Sequence, residues 1–212
     1  MELGIKSTLL ASSLQVNAAV FTTDYSDIQL NQVQGVSPTL VNAGDAQIDG
    51  AELEITAAPF DSFTIDAAIG YADAYYTSVR SDVVLAANPF QAGLFEDAEL
   101  PRTPKWKYSL SPRYELALDG GGVLMFIADW THISESWTDA ERTYAIRRPA
   151  SDLVGASVTF RDAADQWNIS IGGTNLLDDR YVVAGGANLA GGLITGTYNR
   201  PREWYARLGM KF

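Results

Sequence analysis

Apolar and polar positions alternate along this chain in nine separate stretches. Leu3, Ile5 and Leu9 share one parity over residues 3–10, and Leu14, Val16, Ala18 and Val20 oppose Gln15, Asn17 and Thr23 over residues 14–25. Ala51, Leu53, Ile55 and Ala57 stand against Glu52, Glu54 and Thr56, and Phe63, Ile65, Ala67, Ile69 and Tyr71 against Thr64, Asp66 and Gly70. The clearest stretch sets Trp106, Tyr108, Leu110, Pro112, Tyr114, Leu116 and Leu118 against Lys107, Ser109, Ser111, Arg113 and Glu115. Residues 123–133 begin apolar on both parities; Val154 to Phe160, Trp167 to Gly173 and Trp204 to Phe212 alternate again. A period of two predicts strands with one apolar face. Pro112 weakens the fifth strand, because it donates no ladder hydrogen bond.

The connections between these strands fall into two kinds. Tight turns follow residues 10, 58, 118 and 161, the second through Pro59-Phe60-Asp61-Ser62 and the third through Asp119-Gly120-Gly121-Gly122. Extended ones span residues 28–47, 78–105, 134–150 and 178–202, well beyond the hairpin length of about 2–5 residues. Short turns at one end, long loops at the other and a one-sided apolar band are the requirements of an antiparallel transmembrane β-barrel. In lipid the sheet must close, because every backbone polar group has to be paired. Nine sequential antiparallel strands leave the first and last pointing the same way, so closure demands further strands. Met1 is followed by Glu2, and polar residues recur from Lys6, so no basic and then apolar export signal opens the sequence. Both observations lead to the expectation that strands precede Met1 in a larger protein.

Composition removes several function classes. The 212 residues carry a net charge of -11 with no basic cluster interleaved with aromatics, which argues against nucleic-acid binding. Cysteine is absent, so neither disulfides nor thiolate metal sites arise, and the compartment stays open. No apolar run approaches the roughly 18 residues of a membrane helix.

Six segments, in order, resemble the carboxy-terminal barrel of the TonB-dependent outer-membrane receptors. They are Glu2-Leu3-Gly4-Ile5-Lys6-Ser7; the strand from Leu14 to Gln29; Asn42 to Ala46 leading to Gly50-Ala51-Glu52-Leu53-Glu54; Leu100 to Trp106; Asn175-Leu176-Leu177-Asp178-Asp179-Arg180-Tyr181; and the closing Pro201 to Phe212. The resemblance covers essentially the whole chain. It implies an all-β, antiparallel segment of about nine strands from a barrel of the 22-stranded type, with residues 1–212 its carboxy-terminal part and the plug domain elsewhere. It also implies TonB-driven uptake of a siderophore or another scarce solute across a Gram-negative outer membrane. The implied partners are outer-membrane lipid, the barrel-assembly machinery, the TonB complex through the amino-terminal part of the protein, and a small-molecule ligand. A smaller outer-membrane barrel of binding, adhesion or structural type is the alternative, favoured by a closed ring of eight or ten strands. A soluble β-sandwich is a third reading.

Chain ends are usually frayed and polar. A last strand with Trp204, Tyr205, Leu208 and the terminal Phe212 is therefore expected, by the resemblance, to be the signal read during barrel assembly. Asn175, Leu176, Asp178 and Tyr181 form the family's motif turn, in which Asp178 and Asp179 are expected to cap a turn rather than bind calcium. Trp106, Tyr108, Trp130, Trp137, Trp167, Tyr71, Tyr75 and Tyr76 are candidates for interfacial girdles. Glu52 and Glu54 invite a paired-carboxylate glycosidase reading, but a polar lumen wall accounts for them. His132, the single histidine, has no serine or metal-ligand spacing around it. No enzyme, metal site or cofactor is expected. Glu96 to Glu99, Arg147-Arg148 and the glycine-rich residues 184–196 lie in long connections expected to protrude outside the cell, where loops carry recognition.

Overall fold

The computed structural model describes residues 1–34 and 37–211. Its main element is one antiparallel sheet in which the strands follow chain order. These are β1 (Glu2–Leu9), β2 (Leu14–Gln34), β3 (Ser37–Phe60), β4 (Phe63–Val79), β5 (Trp106–Ala117), β6 (Val123–Ile133), β7 (Ser151–Arg161) and β8 (Trp167–Thr174). A separate hairpin of β9 (Val182–Asn188) and β10 (Leu193–Tyr198) follows, and β11 (Glu203–Met210) completes the nine-stranded sheet beside β8. The sheet is open: β1 and β11 are its edges.

Register carries the alternation of single strands across the whole sheet. Ile5, Ala18, Leu53, Ile69, Tyr108 and His132 lie in one cross-strand row. Tyr114, Phe126, Val158, Ile171 and Ala206 lie in another. These rows form one face, and it is uncovered: Leu3, Ile5, Ile171, Trp204 and Leu208 are each more than 60% exposed. Large apolar side chains left bare over so wide an area mark a surface made for an apolar environment. The opposite face is polar and internally bonded. Asn17 donates to Glu54 at 3.3 Å, Thr56 to Asp66 at 2.6 Å and Ser111 to Asp129 at 2.8 Å, while Arg113 pairs with Glu115. Glu52 and Glu54 therefore stand on the polar wall.

Aromatic rings bracket the apolar face. Towards the long connections Tyr71, Trp106, Tyr108, His132 and Trp130 form a chain with successive centroids 4.7, 5.8, 5.6 and 6.4 Å apart. Towards the tight turns stand the pairs Phe60–Phe63, Tyr114–Phe126 and Phe160–Trp167. From Phe63 to Tyr71 the strand rises about 27 Å. At the tilt of membrane barrels that is a band about 20 Å tall, close to the apolar height such barrels present.

Several expectations are corrected. Residues 28–34 and 37–47 are strand rather than extended connection: β2 and β3 run on through them, and over residues 28–34 and 37–43 the pair forms a ribbon beyond β1 and β4. Bulges between Tyr25 and Gln29 shift the parity there, which hides the strand from a period-two reading. The connection after β8 contains its own hairpin. Pro112 stays inside β5, and the β5–β6 pairing lapses at Ser111 and Pro112. Tyr76 and Trp137 belong to no girdle, since both are buried among the long connections. The expectation for Phe212 lies outside the described residues.

The buried core sits at the end of the sheet carrying the long connections. On the polar face of β3 and β4, just above Glu52 and Gly70, the inward side chains become Ala46, Ala74 and Tyr76. Val83, Leu94, Ala98 and Leu100 from residues 80–105 close over them. The same connection pairs with the part of β4 that outruns β5, through Ala72 N–H to Lys105 O, Leu100 N–H to Ala74 O and Tyr76 N–H to Ala98 O, each 2.9–3.0 Å.

Candidate functional site

Three long connections, residues 80–105, 134–150 and 175–202, meet at this end: the first two are hydrogen-bonded together, and the third packs on the second through Gly185 and Gly196 against Ile146 and Tyr181 under Arg148. The first two are joined by four backbone bonds. Ala92 and Gly93 donate to Arg142 and Glu141 carbonyls, Tyr144 donates to Phe90, and Arg102 donates to Trp137, all at 2.7–3.1 Å. Side chains reinforce the join. The Arg142 guanidinium donates to Gly93 O at 2.8 Å and Ala92 O at 3.2 Å. Gln91 donates to the Thr143 hydroxyl at 3.1 Å, and Trp137 Nε1 donates to Glu99 at 3.0 Å. Thr143 is fully buried. Arg142 is thus an inter-loop clamp, and no local sequence signal marks it, because its partners are carbonyls some fifty residues away.

Cationic and aromatic groups alternate over the layer. Arg142 lies 4.7 Å from the Phe95 ring centre, Arg147 4.9 Å from Trp137 and Arg148 4.1 Å from Tyr181. Arg147 is also paired with Glu135, and Lys105 bridges Asp73 at 3.1 Å and Glu99 at 3.6 Å. Burial raises the Glu141 carboxyl above the ordinary carboxylate range, and Asp139 nearby adds to the effect. Such a layer offers ring faces and guanidinium donors to an anionic or aromatic solute. Among the described residues no three His, Cys, Asp or Glu side chains converge on a metal position. His132 pairs with Asp152 at 3.0 Å, and its ring neighbours are Tyr108 and Trp130.

The third connection is pinned at its base by the motif turn. Asn175 is nearly buried and takes a positive φ of 48°. Its Nδ2 donates to the carbonyls of Asp179 and Arg200, and its Oδ1 accepts from Asp179 N–H, each at 3.0 Å. Asp178 accepts from Arg202 N–H at 2.9 Å, and Leu176 N–H reaches Val154 O at 2.8 Å. Tyr181 N–H donates to Asn199 Oδ1 at 3.0 Å, while Asn199 Nδ2 reaches Asp179 O at 2.9 Å. The turn therefore draws both ends of a long excursion together and delivers β11 in register beside β8. Asn199, its reciprocal partner, is a residue sequence reasoning missed. The hairpin beyond seats Gly185 and Gly196 on Ile146.

The residues expected to signal assembly lie along β11. Trp204 and Leu208 point out from the apolar face, and Tyr205 faces the other way, its ring stacked under Arg207 at 4.4 Å. The Tyr205 hydroxyl covers Gly172, where a Cβ would approach within 2.6 Å.

Comparison with known proteins agrees with this architecture. The model of the family described as TonB dependent receptor-like, beta-barrel matches residues 1–176. The fold is shared with the ferric yersiniabactin uptake receptor FyuA from Yersinia pestis (TM-score 0.79, 22% identity), covering 100% of this chain and 29% of that one. It is shared with the siderophore receptor PiuA from Acinetobacter baumannii (TM-score 0.70, 21% identity; 98% and 27% covered). It is also shared with the ferric-catecholate import receptor Fiu from K12 E. coli (TM-score 0.71, 20% identity; 100% and 27% covered). The chain spans less than a third of the length of each. With a nine-stranded, two-faced sheet, its loops gathered at one end, and a family match over most of its length, the chain belongs to the TonB-dependent receptor-like β-barrel family.

Proposed function

We propose that residues 1–212 are the carboxy-terminal wall and loop portion of a TonB-dependent uptake receptor in a Gram-negative outer membrane. The observation that carries this reading is the apolar face, continuous across nine strands, bracketed by aromatic rows and left uncovered. In such a receptor that face meets lipid and the polar face lines the lumen. The loop layer faces outward and binds a siderophore or another scarce solute. The plug and the TonB-contacting segment come from the remainder of the protein, and transport by TonB-driven rearrangement requires them. Trp204, Tyr205, Leu208 and Phe212 serve as the assembly signal, and the motif turn at Asn175 sets the final strand. A small closed barrel is disfavoured, since β1 and β11 are unpaired edges that run in the same direction. An antiparallel ring needs an odd number of strands between them, as the 22-stranded type supplies.

The test is a chromosomal deletion of the full-length gene, with uptake of labelled ferric siderophores and outer-membrane fractionation as readouts. The expected result is loss of one uptake activity, restored by the gene in trans, with the protein in the outer-membrane fraction. Unchanged uptake across the panel with the protein in a soluble fraction would refute the proposal.

A further inference from the structure

Asp129 lies on the polar face of β6, across from Gly155 of β7. Ser111 holds its Oδ1 at 2.8 Å. Among the described residues Oδ2 receives no hydrogen bond, and no lysine or arginine pairs with this carboxylate. Oδ2 turns instead toward Gly155, where a Cβ would sit 3.9 Å away. Here the wall opens into a cleft of about 340 Å³ lined also by Thr131 and Thr174, whose hydroxyls have no hydrogen-bond partner among the described residues. Asn199, at the edge of the cleft, spends both amide atoms on the motif turn. Arg200 reaches the same edge but pairs with Glu203 at 3.8 Å. A glycine inside a strand weakens it and often marks the close approach of a ligand or another part of the chain. At Gly172 and Gly173 packing requires it, since a Cβ would come within 2.6 Å of Tyr205 and 2.7 Å of Leu176. At Gly155 the nearest contact would be 3.5 Å, so nothing in the sheet forbids a side chain, and the missing one leaves room beside an unpaired carboxylate.

We propose that this cleft binds a primary ammonium group on the solute that the receptor takes up. The proposal rests on the receptor reading above and names one chemical feature of its solute. An ammonium has three donors and no acceptor, and the cleft answers with a carboxylate and two hydroxyls that accept. The ammonium donates to Asp129 Oδ2 and to Thr131 and Thr174, in the space that Gly155 leaves. A neutral hydroxyl forgoes the charge-assisted bond, and an anion is repelled by Asp129.

The experiment uses the full-length receptor in phosphatidylcholine nanodiscs, titrated with 2-methoxyethylamine and with 2-methoxyethanol, its uncharged counterpart, and read by saturation-transfer NMR. The wild type is expected to bind the amine about tenfold more tightly, the difference between a hydrogen bond to a charged group and a neutral one. Asp129→Asn keeps an oxygen for Ser111 and should abolish that preference. Gly155→Val suits a strand, so it should keep the heat-modifiable gel shift of the wild type while losing the amine. No preference in the wild type, the result if another part of the receptor fills the cleft, overturns the proposal, and so does a preference that survives either variant. In whole cells excess 2-methoxyethylamine should slow the uptake that gene deletion abolishes, and 2-methoxyethanol should not. Uptake untouched by the amine overturns the assignment of the cleft to the solute. Recovery of the protein in the soluble fraction, with no uptake lost on deletion, refutes the receptor reading itself.

Discussion

Replacing Asn175 by alanine should release the last strand from its anchor. Three hydrogen bonds at 3.0 Å are lost, at about 1 kcal/mol each. The alanine must also hold the left-handed backbone that asparagine tolerates, adding about 1 kcal/mol. The sum is about 4 kcal/mol, large for a single substitution. Asp179 O has two donors, Asn175 and Asn199. Either single variant leaves it one partner, and only the double variant strips it. Asn175→Ala combined with Asn199→Ala should therefore cost about 1 kcal/mol more than the sum of the two. Urea unfolding of the full-length receptor in lipid vesicles, followed by the heat-modifiable gel shift, reads these differences. A loss below about 1 kcal/mol for Asn175→Ala, or strict additivity in the double variant, would refute the view that this turn is a structural staple.

Two further outcomes follow from local chemistry. The β1–β2 turn places Leu10, Ala11 and Ser12 at φ of 52°, 53° and 75°, so Ser12→Gly should raise stability by about 0.5–1 kcal/mol, measured by the same unfolding curves. Glu141 has a folded-state pKa raised by burial, so the unfolded chain releases its proton first as pH rises. Over the window above the ordinary carboxylate value the folded state then holds more protons, and stability falls with rising pH. Glu141→Gln should flatten that fall, seen as equal protease resistance of the loop layer at about pH 4 and about pH 7, where the wild type is weaker at the higher pH.

All nine sheet strands were legible because a sheet with one apolar and one polar face imposes a period of two, and residues such as Trp106 to Leu116 obey it without tertiary help. The ribbon beyond Tyr25 was not, because Tyr25 to Gln29 is bulged and the alternation breaks there. The glycine-rich β9–β10 hairpin was missed for a related reason: Gly185 and Gly196 seat on Ile146, and a packing demand for absent side chains looks like loop composition. The motif turn was recognised as a pattern, but its purpose became visible only with Asn199 and Arg200, some 25 residues away, at the other end of its bonds. Tyr76 and Trp137 show the limit of reading aromatics by position. Both looked interfacial, and both are buried where the connections fold over the sheet.

The most direct test of the two-faced wall is a pair of adjacent arginines on β5. Leu110 lies midway between Trp106 and Tyr114 on the apolar face, and Ser111 faces the other way, donating to Asp129. In the full-length receptor, Leu110→Arg should cost about 2–4 kcal/mol in vesicle unfolding, as a charge on the lipid face does. Ser111→Arg, beside an acidic partner on the polar face, should stay within about 1 kcal/mol of wild type. Equal costs at the two positions, or a larger cost at Ser111, would contradict the assignment of the apolar face to lipid.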